Sequence, residues 1–384
     1  MAVSLTQLQN FANGFVLNYW THNFARVSRH MHGSIGLVTR YGHKIIAFHP
    51  SPFWIQLSYF VSLALLGSLT MMKLKPSNPA FGPRYIDMLF MSTSSVTLAS
   101  LGSVEMENFS SSQIVLLTLL MFLGGEIFVG LIGLLLRKDD GHGNPDGADN
   151  NGVDPLAAEF NYSRDPSNAI DCIELGPTVI GSENSLSDGK DLRLRSVRYL
   201  GYVVLFYLLL IHVTGSLSIL SYIASVGSAR DVLKRKGINV FLFSLSTTVS
   251  SFANAGFIQT NENMAIFKVN PGLLLLIVPQ ILAGNTLFPL FLRSVIWALG
   301  RCSGAAEFGY LLKNSRDIGF RHLLPNRRAA FLSLTVVSFI AVMVVLFCSL
   351  DWNSAVFDGL SSYQKIVGAL FMANRDMERY GELC

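Results

Sequence analysis

The sequence predicts an all-α membrane protein in which a helix, a short re-entrant segment and a second helix form one unit, with two complete copies and a third incomplete one. Three observations predict this. Of the 384 residues, 51% are hydrophobic and only 14% are charged, with a mean hydropathy of +0.43, whereas soluble domains carry about a quarter charged residues. The charges are bunched and leave stretches long enough to cross a bilayer. Between alternate stretches lie shorter apolar segments that end in glycine, and the pattern recurs along the chain.

Residues 1–52 contain Arg26, Arg29, Arg40 and Lys44 and no acidic residue. They lack a compact apolar run followed by a small-residue cleavage site, so they read as a cytoplasmic N-terminal segment rather than a leader. The first repeat occupies 53–138. Phe53 to Met72 has no charge and, at about 1.5 Å per residue, spans roughly 30 Å. Tyr85 to Ser112 follows Pro83, a residue suited to a helix first turn. It is apolar for only about a dozen residues, too few to span, before reaching Ser100-Leu101-Gly102-Ser103. Gln113 to Leu136 is the second span, closed by Arg137 and Lys138.

A linker at 139–196, rich in Gly, Asp and Asn, has no apolar period and reads as a flexible cytoplasmic connection. The second repeat, 197–300, repeats the order: Tyr199 to Ala224 spans, Phe241 to Ser251 is short and rich in Ser and Thr, and Gly272 to Leu299 spans. A cytoplasmic loop, 301–328, leads to the incomplete third repeat at 329–384, which begins with the span Ala329 to Leu350 and has a divergent C-terminus. The two complete copies overlay: Leu98-Ala99-Ser100-Leu101-Gly102 on Phe252-Ala253-Asn254-Ala255-Gly256, and Leu123-Gly124-Gly125-Glu126-Ile127 on Leu282-Ala283-Gly284-Asn285-Thr286. With the N-terminus inside, the inside segments hold about 18 of the 29 basic residues, as the positive-inside rule requires. Arg230, Lys234, Arg235 and Lys236 then lie outside, against that rule.

Irregular backbone at membrane depth persists only where it packs in protein or lines a wet cavity. Two re-entrant segments ending in glycine therefore imply a shared aqueous path in which main-chain carbonyls replace the water shed by a cation. The selectivity-filter candidates are Ser100, Leu101, Gly102, Ser103, Asn254, Ala255, Gly256 and Phe257, with Gly102 and Gly256 as the glycines that permit positive φ. As plain turn or packing glycines the same two residues carry no function. Glu126, read as mid-helix, is either a pore-facing or anchoring carboxylate or one satisfied by backbone donors behind the filter. Asn285 takes the matching place and reads as a helix cross-link, and Gly124, Gly125 and Gly284 read as close-packing residues.

Other chemistries find no residues here. Cys172, Cys302, Cys348 and Cys384 include no C-x-x-C pair, so neither a disulfide framework nor a zinc site is predicted. His22, His30, His32, His43 and His49 have no ligand spacing. No phosphate-binding glycine loop or nucleophile elbow is present, so neither an enzyme nor a cofactor is expected. The net charge of +4 does not suggest nucleic acid as a partner. The sequons at Asn108 and Asn161 read as silent, the first too near the membrane and the second cytoplasmic.

His49-Pro50, Phe53-Trp54-Ile55-Gln56-Leu57, Ser103-Val104-Glu105-Met106-Glu107, Ser251 to Phe257, Thr260 to Met264 and Gly284 to Pro289 resemble the plant high-affinity potassium transporters (HKT) of the Trk/Ktr/HKT superfamily. The resemblance runs from about residue 45 to about residue 372. It implies a potassium-channel-like pore of four helix–pore-loop–helix repeats in the plasma membrane, carrying potassium and sodium ions. In that family the first filter position holds Ser in sodium-selective members and often Gly in members that also carry potassium. On the sequence overlay the matching residue is Gly102, which points to potassium with sodium. After Phe371-Met372-Ala373 the family pattern continues as Asn-x-Arg-x-x-Gly, whereas this chain reads Asn374-Arg375-Asp376-Met377 and runs to Cys384. The expectation is a C-terminally truncated chain, inactive alone because the third filter and fourth repeat are absent. The alternative is a non-conducting isoform that associates with full-length transporters or with itself and regulates them.

Overall fold

The structure is a computed structural model that describes residues 52–78, 82–136, 182–284, 286–315, 318–350, 352 and 359–381. Most of the N-terminal segment, most of the linker, Asn285 and residues 382–384 lie outside them. The described elements are helical: α1 (Pro52–Lys73), α2 (Tyr85–Thr97), α3 (Ser111–Gly124), α4 (Glu126–Leu136), α5 (Ser182–Ser225), α6 (Gly227–Arg235), α7 (Val240–Phe252), α8 (Pro271–Gly284), α9 (Phe288–Ser303), α10 (Ala306–Lys313), α11 (Asn326–Leu350) and α12 (Ser362–Gly381).

The five predicted spans are present, but not all as single rods. α1, α5 and α11 are each long and apolar enough to cross a membrane. The second span is a pair, α3 and α4, bent by 58° where Gly125 takes an extended ψ of 131°. The fourth is α8 and α9, interrupted between Gly284 and Phe288, where Pro289 starts the new helix without needing an amide partner. The re-entrant helices α2 and α7 have 13 residues each, about 20 Å of rise and too short to span.

Each short helix is held by the span that follows it. A side chain on Gly124 would place its Cβ 1.9 Å from the Val96 carbonyl oxygen of α2, and one on Gly284 would fall 1.8 Å from the Phe252 carbonyl oxygen of α7. The predicted close-packing role of these two glycines is thus a contact between a helix face and the terminal turn of a re-entrant helix. α3 packs against both α2 and α7, and α5 and α8 enclose α7 from other sides. Buried polar groups of these helices bond to backbone: Ser92 donates to the Ala64 carbonyl at 2.8 Å, Gln113 to that of Met71 at 3.1 Å, and Tyr207 to that of Ala283 at 2.7 Å. In lipid such bonds contribute about 0.6 kcal/mol each, so they orient the helices more than they drive association.

Two segments differ from their sequence reading, and a third extends it. Helix α5 begins at Ser182, inside the stretch read as flexible linker, because adding a turn to an existing helix avoids the nucleation cost. Within 301–328 the chain forms α10, which packs on α5 and α9. Arg293 of α9 donates to the carbonyls of Leu312 and Leu324 at 3.2 and 3.0 Å and so ties the last turn of α10 to the stretch before α11. Helix α12 runs to Gly381, across the divergent Asn374-Arg375-Asp376-Met377 stretch.

Because a backbone carbonyl cannot yield, Gly124→Ala and Gly284→Ala should each destabilise the purified protein by about 1–3 kcal/mol or more. Gly133→Ala, with no atom within 4 Å of the added methyl, should be neutral or stabilising by up to about 1 kcal/mol. Thermal unfolding in detergent checks the contrast.

Candidate functional site

Helix α2 ends when Leu98 adopts φ 58°, and Ser100 is left-handed again at φ 57°. The Ala99 amide closes the turn on the Ser94 carbonyl at 3.0 Å. Helix α7 ends in the same way: Asn254 has φ 57° and Gly256 φ 68°, while the Ala255 amide bonds the Ser250 carbonyl at 2.9 Å. The backbone therefore repeats with a spacing of 156, from 98 to 254 and from 100 to 256. The sequence overlay, which set Gly102 on Gly256, is two residues out of register. Sequence comparison paired glycine with glycine, whereas the fold pairs equal backbone conformations. Ser100 holds the left-handed state at a cost of roughly 1–2 kcal/mol that glycine avoids.

The two ends meet. Ser100 Oγ donates to the Asn254 carbonyl at 3.2 Å, and a Cβ on Gly256 would lie 2.8 Å from Ser100 Oγ. A cavity of about 220 Å³ opens there, lined by Ser100, Asn254, Gly256 and Ser250, by Ile277 of α8, and by Phe371 of α12. Among the described residues, both polar atoms of the buried Asn254 side chain and the buried Ser250 hydroxyl find no hydrogen-bond partner. Unpaired buried dipoles of this kind call for water or an ion. Among the described residues, no charged side chain lines the cavity. The C-terminal, negative ends of α2 and α7 lead into it, a field that favours a cation.

The other predicted filter residues are placed differently. Gly102 is exposed, its φ is not left-handed, and a Cβ on it would meet nothing nearer than the Val104 carbonyl at 3.7 Å. Nothing in its geometry demands glycine. Leu101 and Ser103 are exposed as well, with the Leu101 amide donating to Ser94 Oγ at 3.0 Å. Ala255 and Phe257 are buried in an apolar cluster with Met91 and Met121. Ser250 was not predicted as a site residue, although the Ser- and Thr-rich character of its segment was the available signal.

Glu126 is not mid-helix. It opens α4 just after the break, where a carboxylate suits the positive helix end. Its carboxylate lies 3.5 Å from Arg321 Nη1 and 3.7 Å from His322 Nε2, and it is half exposed. It is therefore neither on the cavity nor satisfied behind the filter segments, and an exposed pair of this kind adds little stability. Burial lowers the His322 imidazole below its ordinary value, with Glu126 pulling upward and Arg321 downward. Asn285 lies outside the described residues.

Beyond the cavity, the segments that leave it are tied together. Asn261 donates from Nδ2 to Glu105 at 3.0 Å and from its amide to Glu107 at 3.0 Å. Lys236 donates to Glu107 and, at 2.6 Å, to Glu262. Burial alone would lower Lys236, but its bonds and charge contacts with Glu107 and Glu262 hold it above the ordinary lysine value. The bond from Lys236 lowers Glu262.

If left-handed backbone is what this site needs, Gly256→Ala should abolish alkali-cation binding in a membrane-inserted protein, whereas Gly102→Ala should leave it within about twofold, because its methyl makes only ordinary contacts. Cation-dependent thermal stabilisation of the two variants separates them.

Comparison with known proteins gives a consistent set of relatives. Residues 179–374 match the TrkH family, described as cation transport protein. The chain is 47% identical over 358 residues to the probable cation transporter HKT2;3 of rice (Oryza sativa subsp. japonica), covering 92% of this chain and 66% of the relative. It is 47% identical over 354 residues to the rice cation transporter HKT2;4, with the same coverage. It is 40% identical over 289 residues to the sodium transporter HKT1 of Arabidopsis thaliana, covering 75% of this chain and 55% of the relative. The chain thus spans about two thirds of the length of the rice relatives.

Proposed function

The chain belongs to the HKT/Trk family of cation transport proteins, and from that premise we propose that it moves potassium or sodium across a membrane through a path whose narrow part is formed at Ser100 and Gly256. One observation carries the reading: two re-entrant helix ends from separate repeats converge within hydrogen-bond distance, Ser100 Oγ to the Asn254 carbonyl at 3.2 Å. They converge in a cavity where, among the described residues, polar atoms are unpaired and no charged side chain is present. A desolvated alkali cation is stabilised there by carbonyl dipoles and by two helix C-termini. The relatives named above are cation and sodium transporters, which supports ion substrates over chemistry on a bound molecule.

With Ser100 in the position equivalent to Gly256, the family pattern of Ser in sodium-selective members favours sodium over potassium in this repeat. This reverses the preference expected from Gly102. We place the protein in the plasma membrane with residues 1–52 and the loop 301–328 cytoplasmic, on the strength of the basic-residue distribution.

A second reading is association, through the apolar face of α11, with another copy of this chain or with a longer transporter of the family. Phe331, Leu334, Val337 and Val345 are all strongly exposed on that helix, more than on α1 or α5. Co-purification of differently tagged chains tests it, and strictly monomeric protein in mild detergent would reject it.

Transport is tested by sodium and potassium flux into proteoliposomes holding the purified chain. Flux of either ion above that of empty vesicles supports the path, and Ser100→Gly should raise potassium relative to sodium. Equal flux in wild type and in Gly256→Ala would sink the assignment. For orientation, in a variant with Cys172, Cys348 and Cys384 replaced, the exposed Cys302 should react with a membrane-impermeant maleimide only after cells are permeabilised.

A further inference from the structure

We propose that Lys236 is a positioning residue for the cation path: its ammonium group holds the two segments that leave the cavity in register and so tunes the discrimination between alkali ions. The inference rests on the filter reading above. Lys236 lies where three parts of the fold meet. Its backbone is clamped between α6 and α7, its own amide reaching back toward the Val232 carbonyl at 3.3 Å and the Ile238 amide bonding that of Leu233 at 3.0 Å. Gly237 turns the chain at φ 66°, and Asn239 caps α7 by accepting from the Leu242 amide at 3.2 Å. The helix on one side is anchored by buried Ala229, Val232 and Leu233, and the helix on the other is the one whose far end forms half of the cavity.

From this fixed base the side chain, largely buried, reaches Glu107 in the first repeat and Glu262 in the second. Glu107 is also held by Asn261, which binds Glu105 as well. Glu107 lies seven residues beyond Ser100, and Glu262 six beyond Gly256. The node therefore closes the outgoing ends of the two segments, while the contacts at Gly124 and Gly284 hold the incoming ends. Without the ammonium, the carboxylates of Glu107 and Glu262 would lose their shared counter-charge, with Glu107 keeping only the bond from the Asn261 amide. Their repulsion is weakly screened at a partly covered site, and it acts to part the segments. Shifts of a few tenths of an ångström at the cavity change which ion the fixed dipoles fit. One of the four basic residues that the topology argument left outside, against the positive-inside rule, thus gains a role.

The test uses the purified 384-residue chain in detergent. Thermal midpoints are measured in NaCl or KCl against N-methyl-D-glucamine chloride at equal ionic strength, which gives an apparent affinity for each ion. Lys236→Gln should change the sodium-to-potassium affinity ratio several-fold, Lys236→Arg should restore it, and Glu107→Gln should move it in the same direction. A Lys236→Gln variant with a lower ion-free midpoint but an unchanged ratio would show a purely structural link and overturn the proposal. If that variant does not fold, Glu107→Gln decides by the same ratio, since it leaves Lys236 paired with Glu262. Ser100→Gly, measured alongside, separates the two readings. A ratio that responds to it but not to the Lys236 and Glu107 variants rejects the role of Lys236 alone. A ratio that ignores it, or a parent chain insensitive to either ion, rejects the filter reading and this proposal with it.

Discussion

The arrangement around the cavity depends on one contact made twice: the last turn of a short helix pressed against a glycine in the span that follows. At Gly124 and Gly284 the approach is so close that a methyl group would overlap a main-chain carbonyl. A helix of 13 residues cannot cross the bilayer, and its terminal carbonyls would be unpaired in lipid. Seating that end against a neighbouring helix removes it from lipid and fixes where the chain turns. The left-handed residues at 98, 100, 254 and 256 then follow directly after each seat.

Among the described residues, the site is polar without holding a formal charge. Its lining is hydroxyl, amide, backbone and apolar side chain, and the acidic residues lie elsewhere: Glu105, Glu107 and Glu262 on the segments leaving it, and Glu126 at the break of the second span. Helix C-termini and neutral dipoles supply partial negative charge without a formal carboxylate. The formal charges are used instead to join segments, Lys236 across two repeats and Arg293 across the ends of the 312–324 loop.

Much of this was legible from residue order. Five spans and two short helices could be located because lipid tolerates few charges and a span needs about 20 residues. Their duplication was visible in the spacing of Ala, Gly and apolar residues. Glu126 was misread because Gly124-Gly125 was taken as a close-packing feature within one helix rather than as its break, so a residue that opens a helix looked central to one. The helical start at Ser182 was hidden for a related reason: polar residues that would not nucleate a helix alone extend one already formed.

By itself the sequence determined the class, the number and order of the spans, the two re-entrant segments and the likeness to alkali-cation transporters, because each follows from local composition or from motifs read in line. Only the tertiary structure decided which residues form the site. Pairing glycine with glycine put Gly102 opposite Gly256, but folded backbones pair by conformation, and at 57° and 68° the equivalent residues are Ser100 and Gly256. The same holds for Lys236, whose partners lie 129 and 26 residues away. Linear order cannot show which carboxylates a cation will meet, since that depends on how two separate turns pack against a common helix.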